Sequence, residues 1–348
     1  MQKKQTTFMM YWEWLDIKEI MAELKRIGPY WERKEGADHI WTVTADPGRC
    51  QYPQAEVRKS IFLHHMGMLR KLSSEPCNLF EQWGGSCDPS MVAGLGALRG
   101  DLPWGCHIPY QDIVVPPSMY EYDNVSATSF LTPYLHDELQ GLNRSNKLYY
   151  AGKIDLHETD PKAKEEPWSD ASYSFGARQT VFRMFQNAEG FVIHTTHAHG
   201  SYWKDLSSSI FCLAAAGWGW GGRMKAAVTR GCIPLILQDG IKVEFEEQMP
   251  MKDYALRIPT WMAHKLPDIM DSYMKSGKVD KMQKALSCAW RLHWWRRPHG
   301  RAFELVMCEL KRRVLGVAAH EVRIDWDKCA LNCGGKDLVR ITDSYNNV

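Results

Sequence analysis

A glycine-rich loop followed at once by an arginine is the chain's most chemically suggestive feature. Ser209 to Pro234 reads SIFCLAAAGWGWGGRMKAAVTRGCIP. It parses as a short apolar segment, a loop from Gly217 to Gly222, Arg223, a helix, and a buried strand opening near Cys232. Glycines let backbone approach a ligand closely. A helix starting at Arg223 aims free N–H groups and a positive dipole end at the loop, and a guanidinium fork matches phosphate oxygens. Together they describe a site for a phosphorylated ligand such as a sugar nucleotide. On these residues alone the plainer reading, a turn with a solvated arginine, stays open.

Other residues are candidates for the rest of such chemistry. Glu246 follows Phe245 beyond a strand at 232–237. It is placed to accept hydrogen bonds from ribose hydroxyls, or else to be solvated within the acidic run Glu244, Glu246, Glu247. Asp38 and His39 precede a strand. One of them is expected to serve as base toward an acceptor hydroxyl, against the alternative of a turn aspartate and a half-buried histidine. His194, His197 and His199 form the most metal-like cluster, but no clear carboxylate or cysteine accompanies them, and a polar loop lining a cleft is the simpler account. His64 and His65 alternate faces and cannot both point to one site. Trp203, Trp218 and Trp220 have the area to stack on a base or sugar ring, although packing is the default for tryptophan.

The elements that must position these groups follow from hydrophobic patterning. Short strands are expected at 40–46, 60–66 and 111–115, with 73–110 as loop and 118–146 as a linker containing a short helix. A regular alternation then begins: strand 147–151, charged loop 153–170, helix 173–187, strand 190–195, loop 196–205, the segment at 209–213, helix 223–230, strand 232–237, helix 242–248 and strand 254–258. From 264 to 320 the pattern is helical. Such alternation predicts an α/β fold with parallel sheets, here two Rossmann-type domains facing a cleft, with ligands at the carboxyl ends of the strands. The boundaries are 1–130 for the N-terminal domain, 147–265 for the Rossmann-type domain that carries the glycine-rich loop and 266–348 for a helical extension and tail. With 43 basic and 41 acidic residues, the net charge of +2 provides no bulk field for nucleic acid or membrane. No run of 18 apolar residues encodes a membrane span, and the first 30 residues pattern as an amphipathic helix ending at Gly28-Pro29. Of the 10 cysteines, Cys77, Cys87 and Cys106 lie in a loop and are candidates for pairing. Cys212 and Cys232, in apolar runs, are expected as buried thiols. Cys329 and Cys333 make a poor zinc signature.

The order of motifs resembles the exostosin-type glycosyltransferases of family 47. Ser209-x-Phe211-Cys212-Leu213, Gly217, Arg223 and Gly231-Cys232-Ile233-Pro234 carry the resemblance at the loop. Upstream stand Gly28-Pro29-Tyr30-Trp31, Gly36-Ala37-Asp38-His39-Ile40-Trp41, Ile61 to Gly67, Gln111-Asp112-Ile113-Val114-Val115-Pro116-Pro117, Leu148-Tyr149-Tyr150-Ala151-Gly152 and Gly176-Ala177-Arg178; Phe245-Glu246 follows downstream. The chain departs from the family pattern at Ala215, Trp218, Glu244 and Pro250-Met251, which bears on sugar specificity and activity. The resemblance implies a GT-B fold, an inverting transfer from a UDP-sugar to a glycan or glycoprotein acceptor, and no metal or other cofactor. It implies a Golgi type II membrane protein, whose anchor is not in this sequence, and an N-terminal domain that is incomplete here. Arg178 and Arg223 become the diphosphate-binding arginines, with Ser209, Gly217, Gly222 and Glu246 around the donor and Asp38 or His39 toward the acceptor. A catalytically inactive, lectin-like carbohydrate binder is the runner-up, and a metal-dependent hydrolase built on the histidines is the third reading.

Overall fold

The computed structural model describes residues 19–44, 48–51, 57–69, 107–118, 132–134, 143–154, 156, 173–196, 202–217 and 221–314. Within them the expected α/β class is present as two parallel sheets. The first joins β1 (Ile40–Val43), β2 (Ile61–His64) and β4 (Ile113–Val114) in the order β1-β2-β4. The second joins β5 (Asn146–Ala151), β6 (Phe191–His194), β7 (Ser209–Ala214), β8 (Ile233–Ile236) and β10 (Leu256–Arg257) in the order β10-β8-β7-β5-β6. The central strands are buried nearly end to end, because a parallel strand covered on both faces needs a continuous apolar run.

Helices cover the second sheet. Ala177, Val181 and Phe185 of α2 (Ala177–Phe185) pack in the cluster containing Leu148, Tyr150 and Phe211, on one face of β5. Leu206 of α3 (Tyr202–Ser207) packs with Tyr149 and Cys212, on the other. The connection from β7 to β8 is α4 (Arg223–Thr229). Later come α5 (Leu266–Lys275), α6 (Lys278–Ala289) and α7 (Ala302–Val314). Met270, Leu286, Trp290 and Leu305 of this helical region belong to the same core as Phe211, Ile233 and Leu235. In the N-terminal part, a helix over 19–27, α1, sends Met21 against Trp31, Val43 and Phe62. No helix among the described residues is long and apolar enough to cross a membrane.

The two sheets are laced together. β3 (Gly67–Met68) pairs antiparallel with β9 (Ile241–Lys242). A side chain at 67 has no room there: a Cβ would lie 2.2 Å from the Lys242 carbonyl oxygen. The segment Gln111 to Pro117 is held from the other side. Phe245 N–H donates to Val114 O, Trp295 Nε1 to Pro116 O, and the Arg313 guanidinium to the carbonyls of Gln111 and Asp112. Lys225, fully buried, donates to Pro117 O.

Two expectations are corrected. The helix predicted over 242–248 is instead the end of β9 followed by turns through Gln248. Its apolar positions serve inter-sheet packing, with Phe245 in the left-handed region (φ 55°) that no helix accommodates. Cys212 and Cys232 are not thiols but a disulfide, with Cα atoms 5.8 Å apart, Cys212 within β7 and Cys232 just before β8. Cys288 is buried. The pairing envisaged for Cys77, Cys87 and Cys106 lies outside the described residues, as do Cys329 and Cys333 and most of the segments 73–110, 118–146 and 153–170.

Candidate active site

Strand order alone locates a crevice. From β5 the chain passes to β6 on one side, then crosses back to β7 on the other and on to β8. The direction of winding reverses between β5 and β7. In an open parallel sheet this switch point, at the carboxyl ends of the strands, is where ligands bind. The carboxyl ends of β5 and β7 lead into Gly152-Lys153 and into Ala215 to Gly217.

Both arginines singled out from the sequence are at this point. Arg178, on the first turn of α2 and only 4% exposed, donates Nη1–H to Lys153 O (3.0 Å) and Nη2–H to Ala215 O (3.2 Å). It therefore ties the loop after β5 to the loop after β7. Arg223, the first residue of α4, is only partly buried. Its Nη1 donates to the Tyr202 phenolic oxygen. The two guanidinium carbons lie 5.4 and 5.5 Å from the centre of the Tyr150 ring, within the range where an aromatic face attracts a cation. Gly152 makes this arrangement possible. A Cβ there would be 2.4 Å from Arg223 Nη2 and 2.8 Å from the Tyr150 hydroxyl. Gly217 and Gly222 frame the loop: Gly217 O accepts from Ser174 N–H (3.1 Å), and Gly222 O from Ala226 N–H (2.9 Å) in the first turn of α4. Concentrated positive charge on a glycine-lined crevice is a setting for an anionic group.

Glu246 lies beyond the carboxyl end of β8, buried, with Oε2 accepting from Arg257 Nη2 and from Val243 N–H (2.8 Å). It is a paired carboxylate, not one of a solvated acidic run. Its other oxygen, Oε1, is buried and receives no hydrogen bond within the described residues. Buried acceptors are rarely left so.

Other expected site residues fall elsewhere. Ser209 begins β7, so it sits at the end of the sheet opposite the loop, about 16 Å away at the usual strand rise. Its hydroxyl donates to Asp205 O (2.6 Å) and its carbonyl accepts from Arg144 (2.7 Å). Ser209 is a joint between α3 and β7, and its expected place beside the donor is withdrawn. Asp38 and His39 precede β1 and so stand at the amino end of the first sheet. Asp38 is ion-paired with Arg33, whose guanidinium holds the carboxyl below the usual carboxylate range. His39 packs against Trp31 (4.8 Å between ring centres). Neither is placed to act as base at the carboxyl ends, which corrects that expectation. At that end of β2 stands His65, donating Nδ1–H to Val115 O (2.8 Å). Burial pushes its imidazole below the usual range, so the ring is neutral at pH 7. Of the histidine cluster, His194 ends β6 beside the Tyr149 ring, while His197 and His199 lie outside the described residues, as do Trp218 and Trp220. Trp203 packs beneath Arg230, whose guanidinium carbon is 4.6 Å from its ring centre.

One buried group has ligand types suited to a metal: His64, His107 and Asp112, whose donor atoms lie within 4.8 Å of one another. Its surroundings argue for a structural role. Asp112 already accepts from Arg49 Nη1 (2.7 Å), Phe62 N–H (3.1 Å) and Ile108 N–H (2.8 Å). His64 Nε2 and His107 Nδ1 share a hydrogen bond (3.2 Å). A divalent ion would be buried against the Arg49 guanidinium.

Sequence reasoning missed Gly152, Tyr150 and Tyr202 as parts of the site. Gly152 and Tyr150 were visible only as the end of a strand motif, and Tyr202 carried no motif of its own. Residues 2–273 match the Exostosin GT47 domain. A probable glucuronosyltransferase of Oryza sativa subsp. japonica is 27% identical over 310 residues, covering 86% of this chain and 64% of that protein. A probable beta-1,4-xylosyltransferase of Arabidopsis thaliana is 27% identical over 245 residues, covering 70% and 50%. A probable glucuronoxylan glucuronosyltransferase of the same plant is 24% identical over 254 residues, covering 70% and 46%. The chain thus spans about half to just under two thirds of these relatives' length.

Proposed function

The chain belongs to the exostosin GT47 family, and from that premise we propose that it is a glycosyltransferase moving a sugar from a UDP-sugar to a glycan acceptor with inversion at the anomeric carbon. The observation that carries this reading is the pair of guanidinium groups converging on Tyr150 at the switch point of the second sheet. In such a transfer the acceptor oxygen bonds to the anomeric carbon as the bond to the diphosphate oxygen breaks. The acceptor hydroxyl passes its proton to solvent or to a base on the acceptor side, and negative charge grows on UDP. Fixed positive charge where that growth occurs lowers the barrier. Arg223 meets the diphosphate directly. Arg178 adds charge from behind and keeps the loops after β5 and β7 in register. Glu246, with one oxygen held by Arg257, is the carboxylate assigned to a ribose hydroxyl of the donor. On this reading the arginines neutralise the diphosphate without a metal ion.

The Cys212–Cys232 disulfide supports residence in an oxidising compartment of the secretory route, and the Golgi apparatus is the proposed location. The test is a panel of UDP-sugars offered to the full chain, with UDP release and UDP binding both followed, with and without EDTA. Binding and release that persist in EDTA are expected. Loss of UDP binding in EDTA would overturn the metal-free reading, and absence of UDP binding in either condition would overturn the donor site itself. Donor binding without transfer to any acceptor would favour the inactive carbohydrate binder.

A further inference from the structure

Arg223 is held by more than its own helix, and the way it is held identifies another residue of the site. An arginine side chain has several soft torsions and loses much freedom when fixed. Here the Tyr150 ring lies on one side at 5.5 Å from the guanidinium carbon, and the Tyr202 ring lies at 5.3 Å. The Tyr202 phenolic oxygen also accepts from Nη1, a charge-assisted bond of the stronger kind. Tyr202 is itself anchored: its ring packs edge-on against Trp203 at 4.8 Å and against buried Tyr149 at 6.0 Å. Tyr149 and Tyr150, adjacent on β5, thus work from opposite faces of the sheet: Tyr150 lies against the guanidinium and Tyr149 against the tyrosine that locks it.

We propose that Tyr202 is a positioning residue for donor binding: it fixes the Arg223 guanidinium before the diphosphate arrives, so that the ordering cost is not met at binding. The inference rests on the donor reading above and deepens it. A preorganised cation binds its anion more tightly than one that must first be ordered, and the same fixed geometry favours the charge that grows on the leaving group.

Tyr202→Phe in the full chain separates this role from packing, because it keeps the ring and removes only the accepting oxygen. UDP affinity measured by calorimetry is expected to fall about tenfold, with the thermal midpoint unchanged. In the Arg223→Ala background the same substitution should change affinity less than twofold, since the group it acts through is gone. Wild-type affinity in Tyr202→Phe would overturn the proposal. So would a full tenfold loss that persists in the Arg223→Ala background, which would mark a direct contact with the ligand. Failure of the wild-type chain to bind UDP at all would instead condemn the donor reading and carry this inference down with it. Should Tyr202→Phe lower the thermal midpoint, UDP affinity is measured again at a temperature where circular dichroism shows the variant fully folded, under the same criteria.

Discussion

The absence of a side chain at residue 152 decides where the Arg223 guanidinium lies. Gly152→Ala would put a carbon 2.4 Å from Nη2, closer than any non-bonded pair tolerates, and the arginine is the softer partner. The expected result is UDP affinity reduced about tenfold, equivalent to about 1.4 kcal/mol, with the circular dichroism spectrum unchanged; undiminished affinity would contradict the placement. At this scale the sequence was half legible. Arg223 and Arg178 stood out because each opens a helix within a motif of the family pattern, and the structure places both at the switch point. Ser209, Asp38 and His39 misled because they were placed by motif and not by strand end. Ser209 opens β7 and Asp38 and His39 precede β1, and in a parallel sheet that is the end away from the ligand. Tyr202 was hidden because its partner is 21 positions away in sequence and joined to it only by the fold.

Among the elements, the loop and α4 that carry Arg223 are bounded by a covalent clasp. Cys212 and Cys232, 20 positions apart, close a ring containing the whole glycine-rich segment. Cross-linking a loop of that length restricts the unfolded chain by about 3 kcal/mol. Replacing both cysteines by serine should lower unfolding free energy by about that amount in denaturant titration, and an unchanged midpoint would show the clasp to be inert. β3 and β9 test the junction between sheets. Gly67→Ala forces a methyl group into the Lys242 carbonyl and, at 2.8 Å, the Val114 side chain. It is expected to cost on the order of 2 kcal/mol, read in the same titration. Strands β5 to β8 were legible because doubly covered parallel strands are continuous apolar runs. The turns over 244–248 were not, since the glutamates there are also good helix formers, and Phe245 turns inward to serve the other sheet.

Across the whole molecule, a polar contact between the two halves sets the response to acid. Glu247 accepts from Tyr110 N–H (3.1 Å), pairs with Lys242 and faces His107 at 3.5 Å. Burial pushes its carboxyl up, but His107 and Lys242 together outweigh burial and hold it at about 2, against an ordinary value of 4.5. A depressed folded-state value means the unfolded chain takes up the proton first. The stabilisation is therefore complete above about pH 4.5 and lost as pH falls toward 2, amounting to on the order of 3 kcal/mol. Glu247→Gln should flatten the acid limb of stability between those values while lowering stability at pH 7; an unaltered acid limb would remove Glu247 as its cause. The two-sheet plan was legible from the alternation of strand and helix. The lacing was not, because Lys242, Trp295 and Arg313 carry no pattern that marks them as contacts across sheets.

The central claim, that Arg223 at the switch point meets the donor diphosphate, is tested most directly by Arg223→Ala in the full chain. UDP binding by calorimetry and donor turnover are measured together, with circular dichroism as the folding control. A folded variant that loses about a hundredfold or more in turnover, with UDP affinity sharply reduced and only partly restored by Arg223→Lys, is the predicted result. Wild-type affinity and turnover in a folded Arg223→Ala protein would contradict it.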